Sequence, residues 1–126
     1  MSNEVKFTAS VVNYYTEDDV LVMGIGDDPT EPENYLIISR FDDGEIDDSI
    51  GIQTHLSEME TSNAIEKVIL NRTNFIVDIK EGKEEKVNAS RIVVTLNNDN
   101  INYSLFESYL NDVFSGSSVD LIIGTL

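Results

Sequence analysis

Polar and apolar residues alternate with a period of two along most of the first hundred positions, the signature of strands with one buried face. Val5, Phe7, Ala9 and Val11 alternate with polar neighbours, and Tyr14 and Tyr15 close that segment. A polar turn at 16–19 leads into 20–26, which is apolar on both faces and reads as a central strand. The stretch 27–33 holds both prolines, Pro29 and Pro32, whose missing N–H donors exclude a helix interior or a central strand. A near-continuous apolar run predicts another strand at 35–40, and an acidic loop at 42–49 follows.

The second half repeats the idiom. Residues 50–55 make a weak strand of edge character, and 65–70 and 75–79 read as a hairpin closed by a four-residue loop at 71–74. Residues 81–89 form a charged connection, and Ile92, Val94 and Leu96 define a further strand. After four Asn and Asp residues at 97–100 the period becomes helical: Leu105, Phe106, Tyr109, Leu110, Val113 and Phe114 share one stripe. Ser104 with Glu107 makes a capping-box pair, and Gly116 stands where a C-cap is expected. The apolar run 119–124 predicts one more strand, docked late against the sheet. The expected fold is α+β, mostly β: about seven strands in an antiparallel sheet, one C-terminal helix packed on a face, and a single domain over 1–126.

Composition narrows the function classes. The 126 residues carry 24 acids against 8 bases, a net charge of −16, which argues against direct binding to a nucleic-acid backbone or to anionic lipid. With 40% hydrophobic residues the chain is expected to fold rather than stay disordered. It has no cysteine, which excludes disulfides, thiol catalysis and thiolate metal sites. The opening residues never reach an apolar leader core, and the longest apolar stretches fall far short of the ~20 residues of a membrane span. A cytoplasmic protein without membrane contact is the expectation.

Candidate chemistry is sparse. The single histidine, His55, reads as a structural or surface residue rather than a catalyst. Gly24-Ile25-Gly26 opens like a dinucleotide fingerprint, but Asp27, Asp28 and Pro29 stand where a phosphate-binding helix N-terminus is needed. The two glycines instead let a central strand bend or be approached closely. An EF-hand register centred on Gly44 puts Ser39, Phe41, Asp43 and Ile50 at four ligand positions, of which one fits. An irregular calcium site among Asp42, Asp43, Glu45, Asp47 and Asp48, or a small-ligand β-domain, is the alternative reading. Accidental carboxylate pairs are unavoidable among 24 acids, so they carry no glycosidase signal. The expectation is no enzyme, no catalytic residue, no cofactor and no metal.

Charge is unevenly spread. Between Glu17 and Glu60 lie fourteen acids and one base, Arg40, a net of −13. These acids sit mainly in loops 17–19, 27–33 and 42–48, where mutual repulsion costs stability that a cationic partner relieves. Asp27, Asp28, Asp42, Asp43, Asp47 and Asp48 are the candidate steering residues, and Tyr14, Tyr15, Tyr35 and Phe41 beside them the candidate anchors.

The order of motifs resembles the immunity protein 10 family of bacterial polymorphic toxin systems. The resembling parts are the strand at 5–12, the segment 20–28, the run 33–40, the acidic loop ending at Gly51, Ile65-Glu-Lys-Val68, the hairpin to Ile79, and the helix at 105–114. The likeness covers most of residues 4–116. It departs at 61–64, where a glycine-containing segment is expected, and the run after Gly116 has no counterpart. The resemblance implies a small cytoplasmic protein that binds and blocks a cognate toxin domain, and it supplies no catalytic or binding residues; the expectation that the toxin is basic comes from the acidic loops alone. The apolar C-terminal run leaves a homodimer open, or an adaptor pairing through 119–126 as an edge strand.

Overall fold

The computed structural model describes residues 4–41, 45–96 and 101–124. Among them are ten strands in two five-stranded sheets, not one sheet of seven. The first sheet runs in the order β1 (Glu4–Ala9), β9 (Arg91–Leu96), β8 (Asn74–Ile79), β7 (Ile65–Leu70) and β10 (Asp120–Ile123). The second is an antiparallel meander of β2 (Val11–Glu17), β3 (Val20–Gly26), β4 (Tyr35–Arg40), β5 (Ile50–Thr54) and the two-residue β6 (Thr61–Ser62). A one-turn helix α1 (Glu84–Val87), a 3-10 turn at Asp47–Ser49 and a twelve-residue helix α2 (Tyr103–Phe114) are the helical elements among the described residues. The fold is α+β and mostly β. No helix among the described residues is long and apolar enough to cross a membrane.

The alternating run at 5–12 is two strands. Val5 and Ala9 are buried in the first sheet, whereas beyond Ser10 the inward positions become Val12 and Tyr14. At the corner the Ser10 N–H donates to Gly26 O at 2.9 Å, and its hydroxyl donates to Asp27 O at 2.9 Å. One residue thereby shifts the side-chain phase and hands the chain from one sheet to the other. The first sheet is not wholly antiparallel either: β1 pairs parallel with β9, and β10 parallel with β7. Alternation reports which face a residue occupies, not which strand lies beside it, so these pairings are invisible in the sequence pattern.

Other boundaries move for local reasons. Asn71 Oδ1 accepts from the N–H groups of Thr73 and Asn74 at 2.9 and 2.8 Å, which shortens the predicted four-residue hairpin loop to 71–73. Helix α2 is capped by Asn102, whose side chain accepts from Leu105 N, rather than by Ser104. Gly116 lies just past the helix at φ +75°, the left-handed conformation that favours glycine. The 97–100 turn lies outside the described residues. The inner faces of both sheets and the stripe of α2 share one core, with Phe106, Leu110, Val113 and Phe114 buried. The Phe106 ring lies 5.1 Å from that of Phe75 in the first sheet and 6.1 Å from that of Tyr14 in the second. The helix thus ties the two sheets together.

The C-terminus of α2 has no basic residue in its last turn. Arg40, the lone base of the acidic stretch, supplies the missing cation from β4. Its Nη1 donates to the carbonyls of Asp112, Val113 and Ser115 at 3.0, 3.0 and 2.8 Å. These are carbonyls that a helix end leaves without intrahelical donors, at the negative pole of its dipole.

Candidate functional site

Connectivity of the meander sorts the acidic loops. Glu17 faces Val20, and Arg40 lies between Leu21 and Ile50, so the β2–β3 turn and the β4–β5 connection emerge at one end of the second sheet. The β3–β4 connection, 27–34, emerges at the other end, with the 55–60 segment beside it. At 3.4 Å per residue these ends lie about 20 Å apart. The candidate steering acids therefore fall into two groups. Asp47 and Asp48 lie at the first end and Asp27 and Asp28 at the second, while Asp42 and Asp43 lie outside the described residues.

Both groups are partly occupied within the fold. Asp47 Oδ1 accepts from Ser118 N at 2.8 Å, and Asp48 Oδ1 from the Asn63 amide at 3.1 Å. Ser118, through its backbone N–H and then its side chain, holds the Asp47 carboxyl below its ordinary range, with Lys80 adding to the effect. Asp27 accepts from the Asn34 amide at 2.8 Å and from Glu33 N at 3.0 Å; the Asn34 bond is the main cause of its lowered pKa. Asp28 Oδ1 gathers Glu31 N, Thr30 N and the Thr30 hydroxyl, at 3.0, 2.9 and 3.0 Å, and these also lower its pKa. The hydrogen bonds hold the Asp27, Asp28 and Asp47 carboxylates in the ionised form.

No acid between Glu17 and Glu60 joins an ion pair among the described residues. The pairs there, Lys6–Glu4 and Arg91–Asp78, both belong to the first sheet. The described acids of that stretch are therefore not neutralised by described partners within ion-pair distance.

The aromatic candidates separate just as clearly. Tyr14 points inward against Phe106 and Tyr109 and is partly exposed, with its hydroxyl oxygen buried. Tyr15 is 50% exposed on the outer face, where its carbonyl accepts from the Tyr109 hydroxyl at 2.6 Å. Phe41, 44% exposed, lines an open cleft of about 470 Å³ at the first end together with Asp19, Leu21 and Asp112. Tyr35 lies on the outer face of the second sheet beside His55. His55 is locked: its Nδ1 accepts from Tyr35 N at 3.1 Å, and its ring meets Phe7 and Tyr35 edge-on.

Burial raises the Tyr14 hydroxyl above its ordinary pKa, and that oxygen is buried with no hydrogen-bond partner. An unpaired buried hydroxyl costs free energy that the apolar isostere avoids. Tyr14→Phe is expected to raise stability by about 1 kcal/mol, read as a higher urea midpoint at unchanged slope. A lower midpoint would show that the hydroxyl is satisfied.

Two features escape the sequence pattern. The β2–β3 hairpin turns on Asp18 and Asp19, both in the left-handed region at φ 51° and 67°, as a type I′ turn requires. Asn-Gly is the preferred pair there; two adjacent aspartates next to Glu17 are a strained and self-repelling choice. The second feature is a trough of about 250 Å³ on the outer face of the second sheet, lined chiefly by Val11, Gly24, Pro29, Pro32, Tyr35 and Ile37 with Asp28 at its rim. A Cβ on Gly26 would come within 3.1 Å of Pro32, which would have to give way by a few tenths of an ångström, so glycine suits this close approach. A Cβ on Gly24 would meet nothing within 4 Å, and its φ is not left-handed. Gly24 costs the strand about 0.5–1 kcal/mol relative to alanine without any steric need of the fold. The Gly-Ile-Gly triplet is the one sequence signal of this trough, since its spacing puts both glycines on one face.

Among the described residues no group of three or more His, Asp or Glu is placed to hold a metal ion. No protein-family model matches the chain, and no curated protein matches it.

Proposed function

We propose that the protein is an immunity protein, which binds a cognate bacterial toxin domain of basic character and neutralises it through the acidic end of its second sheet. The observation that carries this reading is the Asp18–Asp19 turn. A hairpin position where Asn-Gly would be less strained instead presents two exposed carboxylates, next to Glu17 and beside the cleft of Asp19, Phe41 and Asp112. Strain and like-charge repulsion kept at a surface are compensated when a cationic partner supplies the missing counter-charge. Phe41 and Tyr15 offer exposed aromatic area at or near the same end, of the kind that anchors interfaces. The ordered likeness to the immunity protein 10 family supports the same reading, and with it a cytoplasmic location.

The reading separates stability from binding in one variant. Asp18→Asn/Asp19→Gly is expected to stabilise the domain by about 1–2 kcal/mol, from relieved backbone strain and repulsion. The same variant should associate with the toxin domain encoded by the adjacent gene about 3–10-fold more slowly at low salt, with the difference shrinking as salt screens it. Stopped-flow association and urea unfolding of the same preparations measure both. An association rate indifferent to salt between roughly 50 and 300 mM removes the steering role, and absence of protection on co-expression with that toxin removes the function itself.

A further inference from the structure

We infer that the trough over Gly24 is a receptor for an arginine side chain presented by the basic partner. The inference rests on the toxin reading for the nature of the partner, though the trough is about 20 Å from the Asp18–Asp19 turn and is a separate contact. Three observations carry it. First, the space is kept by a residue the fold does not need: Gly24 sits in the interior of a strand paired on both sides, to Asn13 and to Ile37, where a side chain would meet no neighbour. Second, the lining is mainly apolar, with Val11, Ile37, Pro29 and Pro32 forming a bed for an aliphatic stem, and Tyr35 is the aromatic residue in the lining against which a guanidinium would pack. Third, the rim carries negative charge. The three loop donors to Asp28 all converge on its Oδ1, which keeps the carboxylate ionised and its position fixed, and leaves Oδ2 without a donor among the described residues. Asp27, Glu31 and Glu33 in the same loop add to the potential there.

Arginine fits this combination better than a purely apolar side chain, which would not use the carboxylate. It fits better than lysine as well, whose compact ammonium is more strongly hydrated and stacks less well on an aromatic face.

The test uses the whole chain and two short peptides, acetyl-Gly-Arg-Gly-amide and its citrulline counterpart, which keeps the shape and removes the charge. Amide NMR titration is expected to show saturable shifts at Val11, Gly24, Gly26, Tyr35 and Ile37, with a dissociation constant of about 1 mM for the arginine peptide. The citrulline peptide should bind at least about tenfold more weakly, a factor equivalent to one lost charge contact. Gly24→Val fills the trough and should abolish the shifts while leaving thermal unfolding unchanged or raised. Asp28→Asn keeps the Oδ1 acceptor that orders the loop, removes the charge, and should weaken the arginine peptide to the level of citrulline. Equal binding of the two peptides, shifts that survive Gly24→Val, or no saturable shift up to about 20 mM overturns the inference. Co-expression separates it from the toxin reading. A chain that protects against its toxin equally with and without Gly24→Val overturns the trough alone. A chain that binds the arginine peptide as described but protects against no toxin overturns the immunity reading alone.

Discussion

Phe106→Ala is expected to cost about 3–5 kcal/mol, a large part of the 5–15 kcal/mol that holds a typical domain folded. The side chain is fully buried, and its ring touches Phe75 of one sheet and Tyr14 of the other. Truncation removes hydrophobic burial and two aromatic contacts, and the cavity it leaves is bordered by two sheets that are each held by their own ladders. Little collapse into the gap is therefore available, which places the cost high in the usual range. Urea unfolding should show a midpoint shifted far down at unchanged slope, and thermal unfolding a drop of roughly 10–20 °C. Leu105→Ala is the internal control. That leucine belongs to the stripe on spacing alone but is 47% exposed, so its loss should stay within about 0.5 kcal/mol. Equal costs at the two positions would mean that the helix docks by a different face.

Arg40→Met should destabilise by about 2–3 kcal/mol, the second largest effect. Methionine keeps much of the stem and discards the guanidinium, so what is lost is the charge-assisted bonding to three carbonyls at the end of α2 and a cation at the negative pole of the helix dipole. The three bonds share one nitrogen and are partly solvated, which holds the total below the sum of three separate contacts. The penalty should shrink in high salt, because the dipole component is screened. Arg40→Lys should recover part of it by restoring the cation. A Met variant as stable as the parent at low salt would refute the capping role. The acidic stretch thus keeps its one arginine to finish a helix rather than to balance its own carboxylates.

Much of the local structure can be read from side-chain periodicity. The strands at 20–26, 35–40 and 65–70, the α2 stripe, the Gly116 stop and the late C-terminal strand all appear where alternation or helical spacing puts them. Division into two sheets does not, because it turns on Ser10, a polar residue in a run whose alternation continues past it. The edge pairings β1–β9 and β10–β7 join segments far apart in the chain, and nothing local in residues 4–9 distinguishes a parallel neighbour from an antiparallel one. The candidate interaction surface was legible as charge but not as geometry. Meander connectivity parts Asp27 and Asp28 from Asp47 and Asp48, and the inward phase that begins after Ser10 turns Tyr14 toward the core while leaving Tyr15 outside. Asp18 and Asp19 gain their interest only from backbone angles, and Gly24 only from the empty space above it.

The parallel seam between β1 and β9 bears on how the chain matures during synthesis. Glu4 lies opposite Arg91 and Ala9 opposite Leu96, so β1 leaves the ribosome before β2 to β8 and must wait for all of them before its neighbour exists. The meander of β2 to β6 meets its partners in the order of translation, and so does the run β7, β8, β9. Residues 4–9, with Val5 and Phe7 still unburied, must therefore travel as an unpaired segment of a growing chain. That interval is where a nascent-chain chaperone has most to do, and where slowed elongation would expose this protein to misassembly.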